Sequence, residues 1–186
     1  MKGLVITTDG YEDSEFNYPY YRLQEAGFEV AVATPEGREV EGKHGYTAAA
    51  DWGLDERDPE WFADEFDLLV IPGGRAPERL RTEAPAATEI VRAFDEAEQP
   101  IAAVCHGPQL LISAEAVEGR EVAAYETIAV DLENAGATFV DGEAVVDEHL
   151  ITARTPADLP AFMGATFEWF EERGIEVGAD ADTITA

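Results

Sequence analysis

Ile101-Ala102-Ala103-Val104-Cys105-His106-Gly107-Pro108 is the stretch from which the fold of this chain is read. Four apolar residues in succession make a short buried strand that stops at Cys105. Gly107 permits a close turn, and Pro108 suits a first helical position, where its missing N–H is not needed. An apolar-faced helix then runs from Pro108 to about Ala116. A strand that passes straight into a helix is half of a βαβ unit, which predicts a mostly parallel sheet.

The rest of the chain repeats the pattern. Strands are expected at Gly3–Thr8, Phe28–Ala33 and Asp67–Ile71, with shorter ones at Val122–Ala124, Thr138–Val140, Ala144–Val146 and Leu150–Thr152. Helices are expected from Ser14 to Ala26, Thr82 to Glu98, Glu126 to Asn134 and Pro156 to Arg173, with Gly27 and Gly136 as stops. The Gly-broken alternation over residues 38–51 suits a small β-hairpin excursion. The result is one α/β domain over residues 1–173, its sheet covered by helices on both faces, followed by an acidic tail at 174–186 expected to fray.

Bulk properties narrow the function. The 186 residues carry 40 acidic and 12 basic side chains, a formal charge of −28, and only Lys2 and Lys43 are lysines. That field repels phosphates and anionic lipid, so nucleic acid and membrane are excluded as partners. No run approaches the roughly 18 apolar residues of a membrane span, and the opening residues carry no secretory signal pattern. A lone cysteine cannot close an internal disulfide and fits a reducing, cytoplasmic setting. Acid excess with scarce lysine fits a high-salt cytoplasm, where screening relieves the repulsion among carboxylates.

In parallel sheets, sites lie at the carboxyl ends of strands. Three segments fall there: Asp9–Glu15, Pro72–Arg81 and Cys105–Gln109. Cys105, at a strand-to-helix turn, is the candidate nucleophile, its thiolate favoured by a helix N-terminus, with His106 as base or orienting partner. The backbone N–H groups of His106 and Gly74 suit an oxyanion hole. Among Glu12, Asp13 and Glu15, Glu15 lies one turn into a helix and can point back at the thiol. Arg75, Arg79 and Arg81 surround Glu78 in a chain of ten arginines, suggesting an ion-paired, partly buried or interfacial segment. His44, on the hairpin, reads as structural or interfacial, and His149 lies near an acidic turn. No spacing of Cys, His and acids makes a metal site, and no glycine-rich phosphate or dinucleotide loop is present, so no cofactor is expected.

Tyr18-Pro19-Tyr20-Tyr21-Arg22-Leu23, Gly42-Lys43-His44-Gly45-Tyr46, Pro72-Gly73-Gly74-Arg75-Ala76-Pro77-Glu78-Arg79 and Cys105-His106-Gly107-Pro108-Gln109 together resemble the ThiJ/PfpI family of archaeal intracellular proteases. That superfamily also holds the parkinsonism-associated deglycase. The resemblance extends through Val145-Val146-Asp147 and Pro156-Ala157-Asp158-Leu159, covering roughly residues 1–172. It implies a flavodoxin-like three-layer sandwich and assembly into dimers or hexamers. It implies Cys105 as nucleophile, His106 as its partner and Glu78 as the third member, reaching in from a neighbouring subunit. Glu15 would be the carboxyl beside the thiol, Glu12 and Tyr125 would line the pocket, and Gly74 and His106 would supply oxyanion amides. The implied activities are peptidase, glutathione-independent glyoxalase or deglycase, on small aldehydes or peptides, each opening with a thiolate attack on a carbonyl carbon. A thiol oxidation sensor or holdase is a competing reading. A glutamine amidotransferase is a weaker one, because His149 is followed by Leu150-Ile151 and not by the Glu two residues on that such enzymes use.

Overall fold

The computed structural model describes residues 1–178, so most of the expected acidic tail lies outside the described residues. β1 (Lys2–Ile6) shows how the layers arise: Leu4 and Ile6 enter one apolar cluster and Val5 enters the other. A strand sends alternate side chains to opposite faces, so a strand buried on both sides needs an unbroken apolar run. α1 (Asp13–Glu25) and β2 (Glu29–Thr34) follow. The hairpin of β3 (Val40–Glu41) and β4 (Thr47–Ala48) is antiparallel and stands apart from the main sheet. Then come β5 (Trp52–Gly53), α2 (Pro59–Glu65) and β6 (Leu68–Ile71).

The second half runs α3 (Ala76–Glu83), α4 (Pro85–Glu96), β7 (Ile101–Val104), α5 (Pro108–Ser113), β8 (Glu121–Val122), α6 (Ala129–Asn134), β9 (Thr138–Phe139), β10 (Val145–Asp147), β11 (Leu150–Ala153) and α7 (Leu159–Glu171). The seven-stranded sheet has the order β10-β11-β7-β6-β1-β2-β5, parallel except for the β10 edge. Phe62, Ile90, Leu110 and Leu132 pack one face from α2, α4, α5 and α6; Phe16, Leu23, Phe162 and Trp169 cover the other from α1 and α7. This is the expected α/β sandwich with its hairpin excursion.

One helix expected over Thr82–Glu98 is two. Pro85 crowds the residue before it out of the helical region, and Ala84 sits at φ −133°, ψ 76°. α3 therefore begins earlier, directly after Gly74-Arg75, and carries Glu78. β5 and α2 were not anticipated; there Arg57 lies over the rings of Trp52 and Trp61.

The chain builds β1 and β2 in one direction, then crosses to β6 and β7 on the other side of β1. The loops leaving β1 and β6 thus diverge at a switch point, which opens a crevice at the carboxyl ends of these strands. β7 adds its own exit, the turn at Cys105, beside it.

Candidate active site

Cys105 follows β7 with φ +60°, a left-handed backbone that costs a non-glycine residue about 1–2 kcal/mol. The conformation is held from both sides: Cys105 N donates to Ala153 O at 3.0 Å, and Tyr125 N donates to Cys105 O at 2.9 Å. Gly107 is required by closeness, since a Cβ there would stand 2.5 Å from Ile71 O. The left-handed turn brings two sequence neighbours together, and Cys105 Sγ lies 3.3 Å from His106 Nδ1. The His106 ring stacks on Tyr125, centroids 5.1 Å apart. Tyr125 also lines a cleft of about 460 Å³ with Phe139, Asp141, Arg154 and Asp158.

The other two segments close on the sulfur. Glu12 N donates to Gly73 O and Arg75 N to Gly10 O, so the loops after β1 and β6 are stitched together. Gly73 N donates to Glu15 Oε2 at 2.8 Å in a fully buried contact. A Cβ on Gly73 would lie within 2.6–2.8 Å of Glu15 Oε2, Cys105 Cβ and His106 N, so these groups converge on one bare Cα. Gly74 takes a left-handed backbone (φ +77°), and its amide and that of His106 are near enough to the thiol to favour its anion.

The electrostatics correct one expectation. A thiolate favoured by a helix N-terminus was anticipated, yet burial, and then the neighbouring charge of Glu15, push the Cys105 thiol up to about 12. The amides of Gly74 and His106 act in the opposite direction but do not prevail. Burial also pushes the Glu15 carboxyl up to about 7, against the Gly73 amide. Among the described residues its Oε1 is buried with no partner in aligned hydrogen-bond geometry, so thiol and carboxyl couple by proximity. Two acids this close share their protons as a pair. A protonated Glu15 removes the charge that opposes the thiolate and offers the sulfur a donor, whereas an ionised Glu15 holds the thiol neutral. Burial lowers the pKa of His106, which favours the neutral imidazole.

Glu12 is nearly buried, receives Ser14 Oγ at 3.1 Å and is ion-paired with Lys43. Glu78 is exposed on α3; its charge is felt at His106, but among the described residues its carboxylate makes no hydrogen bond. The ion pairing suggested for its neighbours is not found within the chain: no carboxylate among the described residues pairs with Arg75, Arg79 or Arg81. His149 lies at the opposite end of the sheet, 2.8 Å from Asp95 Oδ1 beside Arg120. Lys43 was not singled out as a site residue, and Asp13, considered beside Glu15, was given no role; its carboxylate holds the turn carrying Lys43. The available signal was scarcity, a glycine-flanked lysine in a chain with two.

The DJ-1/PfpI family model matches residues 1–169, nearly the full described chain. The chain belongs to the DJ-1/PfpI family. Among its relatives, Deglycase TK1284 of Thermococcus kodakarensis is 46% identical over 163 residues, 88% of this chain and 95% of that protein. Protein/nucleic acid deglycase 2 of Escherichia coli is 45% identical over 161 residues, 85% of this chain and 91% of that one. A crystallised two-domain protein of Anabaena variabilis, with DJ-1/ThiJ/PfpI-like and ferritin-like domains, superposes with a TM-score of 0.87 at 37% identity. It takes in 97% of this chain, which spans about half (52%) of that protein. DJ-1/PfpI membership and the fold agree with the sequence resemblance. No described helix is long and apolar enough to cross a membrane.

Proposed function

We propose that this DJ-1/PfpI chain is a cysteine-nucleophile deglycase that attacks the carbonyl carbon of early glycation adducts and small aldehydes, with peptide cleavage as a second use of the same thiol. The observation that carries the reading is the 3.3 Å approach of Cys105 Sγ to His106 Nδ1 beneath the amides of Gly74 and His106. Two relatives near 46% identity named deglycases support the substrate class.

The opening step follows from the groups present. The Cys105 S–H bond breaks, its proton passing to His106 or Glu15, and sulfur forms a bond to the carbonyl carbon. The carbonyl π pair moves to oxygen, where the N–H groups of Gly74 and His106 receive it. The proton then returns to that oxygen, leaving a neutral hemithioacetal. One preorganised donor to such an oxyanion is worth about 3–4 kcal/mol. In this reading Glu12 and Tyr125 line the pocket. Glu78 orients His106 from a neighbouring subunit of a dimer or hexamer, in a high-salt cytoplasm.

The test is release of the free guanidine of N-acetylarginine and the free amine of N-acetyllysine from their methylglyoxal adducts, run beside a peptide substrate. Wild-type turnover lost in Cys105→Ala is the expected result. Turnover of all substrates unchanged in that variant overturns the proposal, and peptide cleavage without deglycation moves it to the peptidase.

A further inference from the structure

Lys43 stands at the tip of the β3–β4 hairpin, in a turn fixed from beneath. Gly42 N donates to Tyr46 O at 2.7 Å, Gly45 N to Gly42 O at 3.1 Å, and Lys43 N to Tyr11 O at 2.9 Å. The buried carboxylate of Asp13 accepts the backbone N–H of His44 at 2.9 Å and of Tyr46 at 3.1 Å. Tyr11 Oη donates to Tyr46 O at 2.9 Å. A Cβ on Gly42 would lie 2.7 Å from the Asp13 carboxylate, so the turn rests directly on it. From this seat the Lys43 ammonium reaches Glu12, whose side chain is only 10% exposed.

We propose that Lys43 is a positioning residue for Cys105: the Asp13-seated turn holds its ammonium against Glu12, where it is the fixed positive charge that favours the anionic state of the Cys105–Glu15 pair. The inference rests on the nucleophile reading above. Its physical basis is the balance of charge around the crevice. From α1 and the residues before it come Glu12, Asp13 and Glu15; from the hairpin, Glu41, Lys43 and the exposed His44, whose Nε2 is 3.8 Å from Glu12. The turn after β7 gives Cys105 and His106, the residue before α3 gives Arg75, and α3 gives Glu78 and Arg79, the latter reaching Asp9 O at 3.4 Å. Carboxylates outnumber cations, and the Lys43 charge is felt at Glu15, Cys105 and His106.

The sign follows. A nearby cation lowers the free energy of every anion facing it, so its removal leaves Glu12 unanswered beside the thiol and disfavours the thiolate and the developing oxyanion. The Glu12 contact in turn holds the Lys43 pKa above its ordinary value, keeping the ammonium charged through the neutral range.

Cys105 is the chain's one cysteine, so alkylation reads it directly. The experiment follows iodoacetamide alkylation of the full-length protein from about pH 5 to 10 in wild type, Lys43→Met, Lys43→Arg and Lys2→Met. Lys43→Met is expected to react about tenfold more slowly at neutral pH, its profile moved to higher pH, with kcat reduced more than KM is raised. Lys43→Arg should restore the rate to within about twofold, since it keeps the charge. Lys2→Met, which removes the same charge at the far end of β1, should match wild type. If Lys43→Met fails to fold, Asp13→Asn carries the test, expected to shift the profile the same way by a smaller amount. An unshifted profile in Lys43→Met, or in Asp13→Asn where that carries the test, overturns the inference and leaves the nucleophile reading standing. A wild-type thiol that resists alkylation throughout overturns the nucleophile reading, and this one with it.

Discussion

The Gly73 amide and the Glu15 carboxylate are joined by a 2.8 Å hydrogen bond with no water-accessible side. The bond links the loop after β6 to the first turn of α1, and it turns the carboxyl into the crevice beside Cys105. A buried carboxyl with one amide donor is still short of solvation, which is why its pKa lies near 7 and not in the ordinary carboxylate range.

That relationship predicts a pH-dependent gain of stability in Glu15→Gln. A raised carboxyl binds its proton more tightly in the folded state. Its burial is therefore harmless below the unfolded value near 4.5 and increasingly costly as pH rises through about 7. Glu15→Gln should match wild type at about pH 4 and exceed it by about 2–3 kcal/mol at about pH 8, measured by urea unfolding. Its alkylation at Cys105 should at the same time lose the inflection near neutrality. A stability difference that does not grow with pH would count against the buried carboxyl.

Gly74 predicts a contrast between two glycines with left-handed backbones. At Gly74 (φ +77°) a Cβ would stand 2.5 Å from both Glu12 N and Gly10 O, backbone atoms that cannot swing aside. At Gly27 (φ +83°) nothing among the described residues lies within 4 Å of an added Cβ. Gly27→Ala should cost about 1 kcal/mol with turnover unchanged. Gly74→Ala should cost about 3 kcal/mol or more and lower kcat at least tenfold, because in the proposed mechanism the displaced amide is an oxyanion donor. Equal effects in thermal unfolding and turnover would refute the close-approach argument.

The chain's local patterns show why some of this was legible and some was not. Ile101–Pro108 declares strand, turn and helix by composition, because a strand buried on both faces must be continuously apolar and a helix start tolerates proline. The three converging loops follow from parallel topology alone. The +60° φ of Cys105 is not written in its residue type; it is imposed by Ala153 and Tyr125, far along the chain. The raised thiol was missed for a related reason. The helix end is a local feature, whereas burial and the Glu15 charge come from tertiary packing and outweigh it. The two helices in place of one were readable from Pro85, but β5 is two residues long and depends on its neighbour β2. Lys43 escaped because its partner Glu12 is 31 positions away, brought near only by the Asp13 seat.

The charge of −28 predicts a response to salt. Few of the 40 acids have a basic partner, since 12 basic residues cannot answer them. The remaining repulsion weakens as the Debye length falls from about 10 Å at 0.1 M to about 3 Å at 1 M. The thermal midpoint should climb by about 5 °C or more between 0.1 and 2 M KCl. A midpoint flat across that range would dismiss high-salt adaptation.

Glu78 predicts complementation between damaged subunits. Its carboxylate is exposed on α3 and makes no hydrogen bond among the described residues, although its charge is felt at His106. If it orients His106 across an interface, Glu78→Gln and Cys105→Ala each disable a homogeneous assembly by a different route. In a mixed assembly some crevices combine an intact Cys105 with an intact Glu78 from the neighbouring chain. Mixing the two inactive variants, dissociated and reassembled together, should restore turnover toward about a quarter of wild type for a dimer joined by paired sites, since half the subunits are then Cys105-intact and half of those meet a Glu78-intact neighbour. The same mixture should stay inactive if Glu78 acts only within its own chain, because no subunit then carries both groups. Sedimentation of the mixture fixes the assembly size, and activity that remains at background in a confirmed mixed oligomer would exclude the contribution in trans.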